Sequence, residues 1–189
     1  MFRKIALVTA LTISLSGCGI VSFQDANHMD HGNMHSGDSN YSANDLMFAQ
    51  MMIPHHQQAV DMGVLAETRA SNPAVLAIAV KIKDEQEPEI LLMKSWLKEA
   101  GQSETGMHDM GMDMGMLSEQ EFNDLKSANG SEFDVLYLQG MIQHHKGAIE
   151  MAKTVSDSKN EAVRNLSESI IESQTAQIEQ LEQLLAEID

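Results

Sequence analysis

The sequence predicts an all-α fold, a four-helix bundle built from two duplicated helical hairpins with a long Met-rich crossover between them. Three observations carry this. Apolar residues recur at spacings of three and four, as in Leu166, Ile170, Ile171, Ile178, Leu181, Leu184 and Leu185, the period of a helix with one buried stripe. Residues 45–62 align with residues 134–151 at an offset of 89. Downstream, Ile82, Gln86, Ile90, Met93 and Leu97 align with Ile170, Gln174, Ile178, Leu181 and Leu185 at an offset of 88. Each repeat is therefore two helical segments joined by a turn, and two such hairpins close one bundle through a long connection.

Taken in order, residues 1–17 read as a lipoprotein signal peptide rather than as part of the fold. Arg3 and Lys4 form a basic n-region, and Ile5 to Leu15 is apolar but shorter than the ~20 residues a membrane span needs. Leu15-Ser16-Gly17-Cys18 resembles a bacterial lipobox, which implies cleavage before Cys18 and acylation of its sulfur. Residues 18–41, rich in Gly, Ser, Asn and Asp, then read as a flexible tether to a domain at 42–189.

Within that domain, helices are predicted at about 43–70, 72–100, 131–156 and 158–188, with a shorter one near 118–128. Ser42 with Asp45, Ser118 with Glu121, Ser131 with Asp134 and Ser158 with Glu161 have the spacing of capping boxes. Asn72-Pro73 puts Pro at a first helical position, and Gly101 and Gly130 fall at breaks. Pro54 and Pro88 lie inside helices, where each deletes a backbone donor and is expected to kink or bulge the chain. The Met-rich crossover spans 102–117.

Composition narrows the function. Twelve Lys+Arg against 28 Asp+Glu give a formal net charge of −16, which becomes −18 once Arg3 and Lys4 are cleaved away. Neutralising phosphates needs a basic face, so a nucleic-acid partner is not expected. A single Cys excludes an internal disulfide and a thiolate-rich metal site. Fifteen Met in 189 residues is several-fold more than ordinary usage, and aromatics at 4% leave aliphatics and Met to fill the core.

The repeated motif carries the chemistry. On a helical wheel Met52, His55 and His56 fall within an arc of roughly 100°, along about 6 Å of axis, and Met141, His144 and His145 repeat the pattern. Bundle proteins that hold paired iron or manganese use Glu-x-x-His at inward positions. This chain has Met-x-x-His there instead. Exchanging a hard carboxylate for a polarisable, non-titrating sulfur turns such a site toward Cu(I), with Cu(II) accessible through imidazole. Met62 and Met151 lie roughly 9 Å of rise past His55 and His144, so they read first as core and second as ligands. Met47 and Met93 read as core filler. Met51 joins the secondary metal candidates, as do two clusters with no helical period. These are His28, Met29, His31, Met34 and His35 in the tether, and Met107, His108, Met110, Met112, Met114 and Met116 in the crossover.

These motifs resemble a bacterial family catalogued as domain of unknown function 305, whose members include CopM-type copper-binding proteins. The resemblance rests on Phe48 through Met62 with its Met-Ile-Pro-His-His core, on Met141-Ile-Gln-His-His145, and on Gln86 with Trp96-Leu97; it spans about Ser42 to Asp189. It implies a ferritin-like bundle in the periplasm that serves copper tolerance, with metal ligation by Met52, His55, His56, Met141, His144 and His145. Gln143 stands where the first copy has Pro54, so the halves need not bind equally.

The sequence reading is thus a lipid-anchored copper-binding protein of the bacterial cell envelope, on the outer membrane in a Gram-negative cell. It would sequester or relay Cu(I) or Cu(II), with a copper efflux or chaperone protein as a possible partner. No nucleophile–base pair, phosphate loop or carboxylate acid/base pair is readable, so an enzyme is not expected. Two other readings stand beside it. One is a ferritin-like oxidase of copper or iron, which needs an open coordination position; the other is a surface interaction module without metal.

Overall fold

In a computed structural model the described residues are 40–104 and 114–188. Five helices follow one another: α1 (Ala43–Arg69), α2 (Pro73–Glu99), α3 (Glu119–Ser127), α4 (Gly130–Lys153) and α5 (Glu161–Ile188). Among the described residues there is no strand. α1 packs on α2 and α4 on α5 to make the two hairpins, while α1 against α4 and α2 against α5 close the bundle. The predicted fold class holds, and every predicted helix is present within a few residues of its expected ends. Cys18, the tether cluster from His28 to His35, and Met107, His108, Met110 and Met112 lie outside the described residues.

Local chemistry explains the helix ends. The Ser42/Asp45 and Ser118/Glu121 capping boxes both form, so each start satisfies backbone donors that would otherwise face nothing. The other two expected boxes do not form. The chain enters α4 through Gly130 at φ 65°, a left-handed geometry that glycine adopts freely. Asp134 is thereby released for a longer reach. Buried at 1% exposure, it accepts from the backbone N–H groups of Ser71 and Asn72 at 3.1 and 2.9 Å and from the Ser71 hydroxyl at 2.5 Å. One carboxylate of the second hairpin therefore ties down the turn of the first. At α5 the cap moves from Ser158 to Asn160, whose side-chain oxygen accepts from Ala162 and Val163. Pro54 and Pro88 sit inside α1 and α2, and both helices run on through them.

The core divides into two apolar clusters, one toward each end of the bundle. The first gathers Phe48 and Met52 of α1, Met93 and Trp96 of α2, Met151 of α4 and Leu166 of α5. The second gathers Met62, Ile82, Phe133, Tyr137, Met141 and Leu181. Because α1 and α4 are related by the repeat, the residues that precede the His-His pair fall in opposite clusters: Met52 in the first, Met141 in the second.

Asp134→Ala removes the shared acceptor of two part-buried backbone donors and a hydroxyl at once, and is expected to cost about 2 kcal/mol of stability. The repeat-equivalent Asp45→Ala removes an ordinary cap worth about 1 kcal/mol. Urea unfolding of the two variants checks this; equal losses would contradict the bridging role given to Asp134.

Candidate metal centre

A polar layer separates the two apolar clusters. His55 and His56 on α1 and His144 and His145 on α4 are all buried, none more than 1% exposed. Adjacent histidines on one helix point apart: the rings of His55 and His56 are 6.4 Å apart, those of His144 and His145 6.3 Å. The close approach is between helices instead, where His55 and His144 stack with centroids 3.7 Å apart at 38°. The layer is therefore shared by both repeats. It is not two separate one-helix sites.

The same ring nitrogen of each histidine is spoken for. The Nε2–H of His55 donates to the Met114 carbonyl at 2.9 Å, and that of His144 donates to the His55 carbonyl at 2.9 Å. The Nε2–H of His56 donates to the Glu89 carboxylate at 2.8 Å, and that of His145 to the Gln177 side-chain oxygen at 2.7 Å. Gln177 is oriented in turn by its own amide, which donates to Glu85 at 2.6 Å. A carbonyl or carboxylate oxygen only accepts, so these partners fix the proton on Nε2. All four Nδ1 atoms are left buried with no hydrogen-bond partner. An imidazole whose far N–H is held by an oxygen and whose near lone pair is free is how metal-ligating histidine is usually presented.

Burial also keeps the rings of His55, His144 and His145 neutral. Desolvation, reinforced by the neighbouring imidazoles, pushes His55 down to about 3 and His145 down to about 4, the latter resisted by Gln177. The same causes, desolvation first and then His55 and His145, hold His144 well below the ordinary value. A neutral imidazole is the form that binds metal. Buried polar side chains extend the layer: Gln86 on α2 and Gln174 on α5 are repeat equivalents, and neither amide oxygen has a hydrogen-bond partner.

Part of the crossover lies against this layer. Leu117 is clamped by Gln58, which donates to its carbonyl at 3.0 Å and accepts from its N–H at 2.8 Å. Gly115, at φ 79°, packs its backbone against Gln143 and Gly147 of α4; a Cβ on Gly147 would overlap the Met114 carbonyl. Small residues on α4 thus bring Met114 close enough for its carbonyl to meet His55.

The residues predicted as ligands are placed as follows. The four histidines come together in one layer. Met52 and Met141 are fully buried in the clusters on either side of it. Met62, Met93 and Met151 are core. Met51 and Met114 are half-buried against the first cluster, and Met116 lines a surface cavity of about 380 Å³ with Leu117, Gln139 and Gly140. Among the described residues no three or more His, Cys, Asp or Glu side chains gather about one point. What the layer offers is imidazole pairs with sulfur nearby, a donor set that suits a soft cation better than a hard one. Sequence reasoning missed Glu89, Gln177 and Glu85. The signal was present for the first two, since Glu89 and Gln177 occupy the same place in the two repeats, three residues after Gln86 and Gln174.

The family model described as domain of unknown function (DUF305) matches residues 45–185. Among solved structures, a DUF305 protein from Streptomyces coelicolor, described as a candidate secreted protein, is 32% identical with a TM-score of 0.71, over 77% of this chain and 93% of that one. A DUF305 fragment from Deinococcus radiodurans is 27% identical with a TM-score of 0.72, over 77% and 97%. CopM in its Cu(II)-bound form is 32% identical with a TM-score of 0.64, over 76% and 96%; CopM has also been solved with Cu(I), with silver and without metal. No curated protein matches the chain.

The depressed histidines make a pH prediction. The unfolded chain takes up protons on these imidazoles below about 6.5, whereas the folded core refuses them until far lower pH. Their contribution is therefore complete above 6.5 and is lost as pH falls from there toward 4. Each of the three should remove up to about 1.4 kcal/mol per pH unit. Urea midpoints of metal-free protein at pH 7.5 and 5.5, a window above the carboxylate range, check this; an unchanged midpoint would contradict neutral burial.

Proposed function

The chain belongs to the DUF305 family, and from that premise we propose that it is a copper-binding protein that holds the ion in its histidine layer. One observation carries the reading: four buried histidines, each with Nε2–H tied outward to an oxygen and Nδ1 left as an unpartnered donor. Cu(I) is the preferred state, because it accepts low coordination by imidazole and thioether and because Met52 and Met141 flank the layer. Cu(II) binds through the histidines. The likeness to CopM, whose Cu(I)- and Cu(II)-bound forms are 31% and 32% identical to this chain, supports both states.

The protein stores or relays the ion and does not turn over a substrate. Its place is the cell envelope, on a lipid attached at Cys18, an assignment supported by the leader and lipobox in the sequence. No helix among the described residues is long and apolar enough to cross a membrane, and lipid attachment requires none. From there it serves copper tolerance, passing the ion by ligand exchange to an efflux or chaperone partner.

Competition for Cu(I) against a chromogenic chelator tests the assignment. Replacing His55, His56, His144 and His145 together by Gln, which keeps a side-chain amide in each place, should remove the tightest copper equivalents. Circular dichroism would establish that the bundle remains. An unchanged stoichiometry at the tight end would reject the layer as the site, and oxygen consumption on adding Cu(I) would favour an oxidase.

A further inference from the structure

The two repeats depart from each other at two positions that lie together, and both departures serve the crossover. Met51 of the first repeat corresponds to Gly140 of the second, and Gln58 corresponds to Gly147. On the second repeat both places are covered: Leu117 sits on Gly140, where a Cβ would come within 3.1–3.2 Å of its methyl groups, and Met114-Gly115 sits on Gly147. On the first repeat Gln58 clamps Leu117 by two hydrogen bonds, and Met51 is left half-buried.

The consequence concerns His55. Met51 precedes it by one helical turn on the same flank. The backbone of Met114 meets it too, through the hydrogen bond from His55 Nε2–H to the Met114 carbonyl. Both side chains pack on the apolar cluster that contains Met52, yet both keep part of their surface in water. Met93 and Met151 in the same cluster are buried, as core filler should be, and Met52 is buried beside the histidine layer. Two half-exposed thioethers packed on the cluster that holds the buried Met52, one helical turn from His55 in sequence or joined to it through the backbone, offer soft donors at both the surface and the interior. The second repeat has no equivalent, since Gly140 supplies no side chain.

We infer that Met51 and Met114 form a one-sided thioether port, an outer station through which a soft monovalent cation passes to Met52 and His55. The inference rests on the copper-binding reading and adds to it a route and a direction. Passage is ligand exchange alone: the ion stays Cu(I), a bond from a thioether sulfur or an imidazole nitrogen to the metal forms as a sulfur–metal bond breaks, and no proton or electron moves. Gln58, Gly140 and Gly147 are positioning residues, because they seat the segment that presents Met114.

Exchange kinetics test the port, because a route speeds entry and exit alike without altering the equilibrium. The full-length protein is loaded with one equivalent of Cu(I), and release to excess chromogenic chelator is followed by stopped flow. Met51→Leu with Met114→Leu keeps volume and apolarity, so the fold is retained. Release from this double variant is expected to slow by about tenfold while affinity is unchanged. Met93→Leu, in the same cluster but buried, should release at the parent rate. An unchanged release rate in the double variant would overturn the port. So would faster release with weaker affinity, which would make the two sulfurs holding ligands. Failure of the unmodified protein to take up Cu(I) would overturn the copper-binding reading as well.

Discussion

Four hydrogen bonds from histidine Nε2–H groups organise the interior of this bundle. Two end on backbone carbonyls, of Met114 and His55, and two on side chains, of Glu89 and Gln177. Each satisfies one nitrogen of a buried ring and so leaves the other as a lone pair inside a low-dielectric interior. Apolar packing alone would not tolerate this: an unpartnered buried polar atom costs about 1–3 kcal/mol, and the layer carries four such Nδ1 atoms together with the amides of Gln86 and Gln174. A protein that kept this layer only for stability would do better with leucine. The cost is offset by the apolar clusters to either side.

The repeat explains how one chain builds such a layer. Two hairpins with the same His-His pair, packed through α1 and α4, bring the rings of His55 and His144 within 3.7 Å of each other. Each second helix supplies a partner to the outer histidine: Glu89 from α2 and Gln177 from α5. The substitution of Gln for Glu makes the halves electrostatically different, a carboxylate behind His56 and an amide behind His145. A carboxylate partner raises the basicity of a ligating imidazole more than an amide does. The crossover adds a second difference, since it is seated on glycines of one repeat and clamped by a glutamine of the other.

Much of this was legible in the sequence. Helix periods, the offset of 89 and the turn residues located the bundle, and the paired histidines announced buried chemistry because nothing in packing calls for them twice. What was not legible depended on contacts between elements. Wheel geometry grouped Met52, His55 and His56 on one flank, but consecutive residues on a helix diverge by about 100°, so their rings separate and the near neighbour comes from another helix. Ser131 and Asp134 had the spacing of a capping box, yet that spacing could not reveal that Gly130 would start the helix and free Asp134 to hold the α1–α2 turn. Glu89 and Gln177 gain their role only from the histidines of the neighbouring helices that donate to them.

The central claim is that Nδ1, and not Nε2, is the free donor of all four histidines. Nitrogen NMR of protein labelled with ¹⁵N-histidine reads this directly, because the protonated and unprotonated ring nitrogens resonate far apart. In the metal-free protein at pH 7.5 the account predicts four buried rings protonated at Nε2, and on adding Ag(I) as an air-stable stand-in for Cu(I), shifts confined to Nδ1. Rings protonated at Nδ1, or silver shifts carried by Nε2, would contradict it.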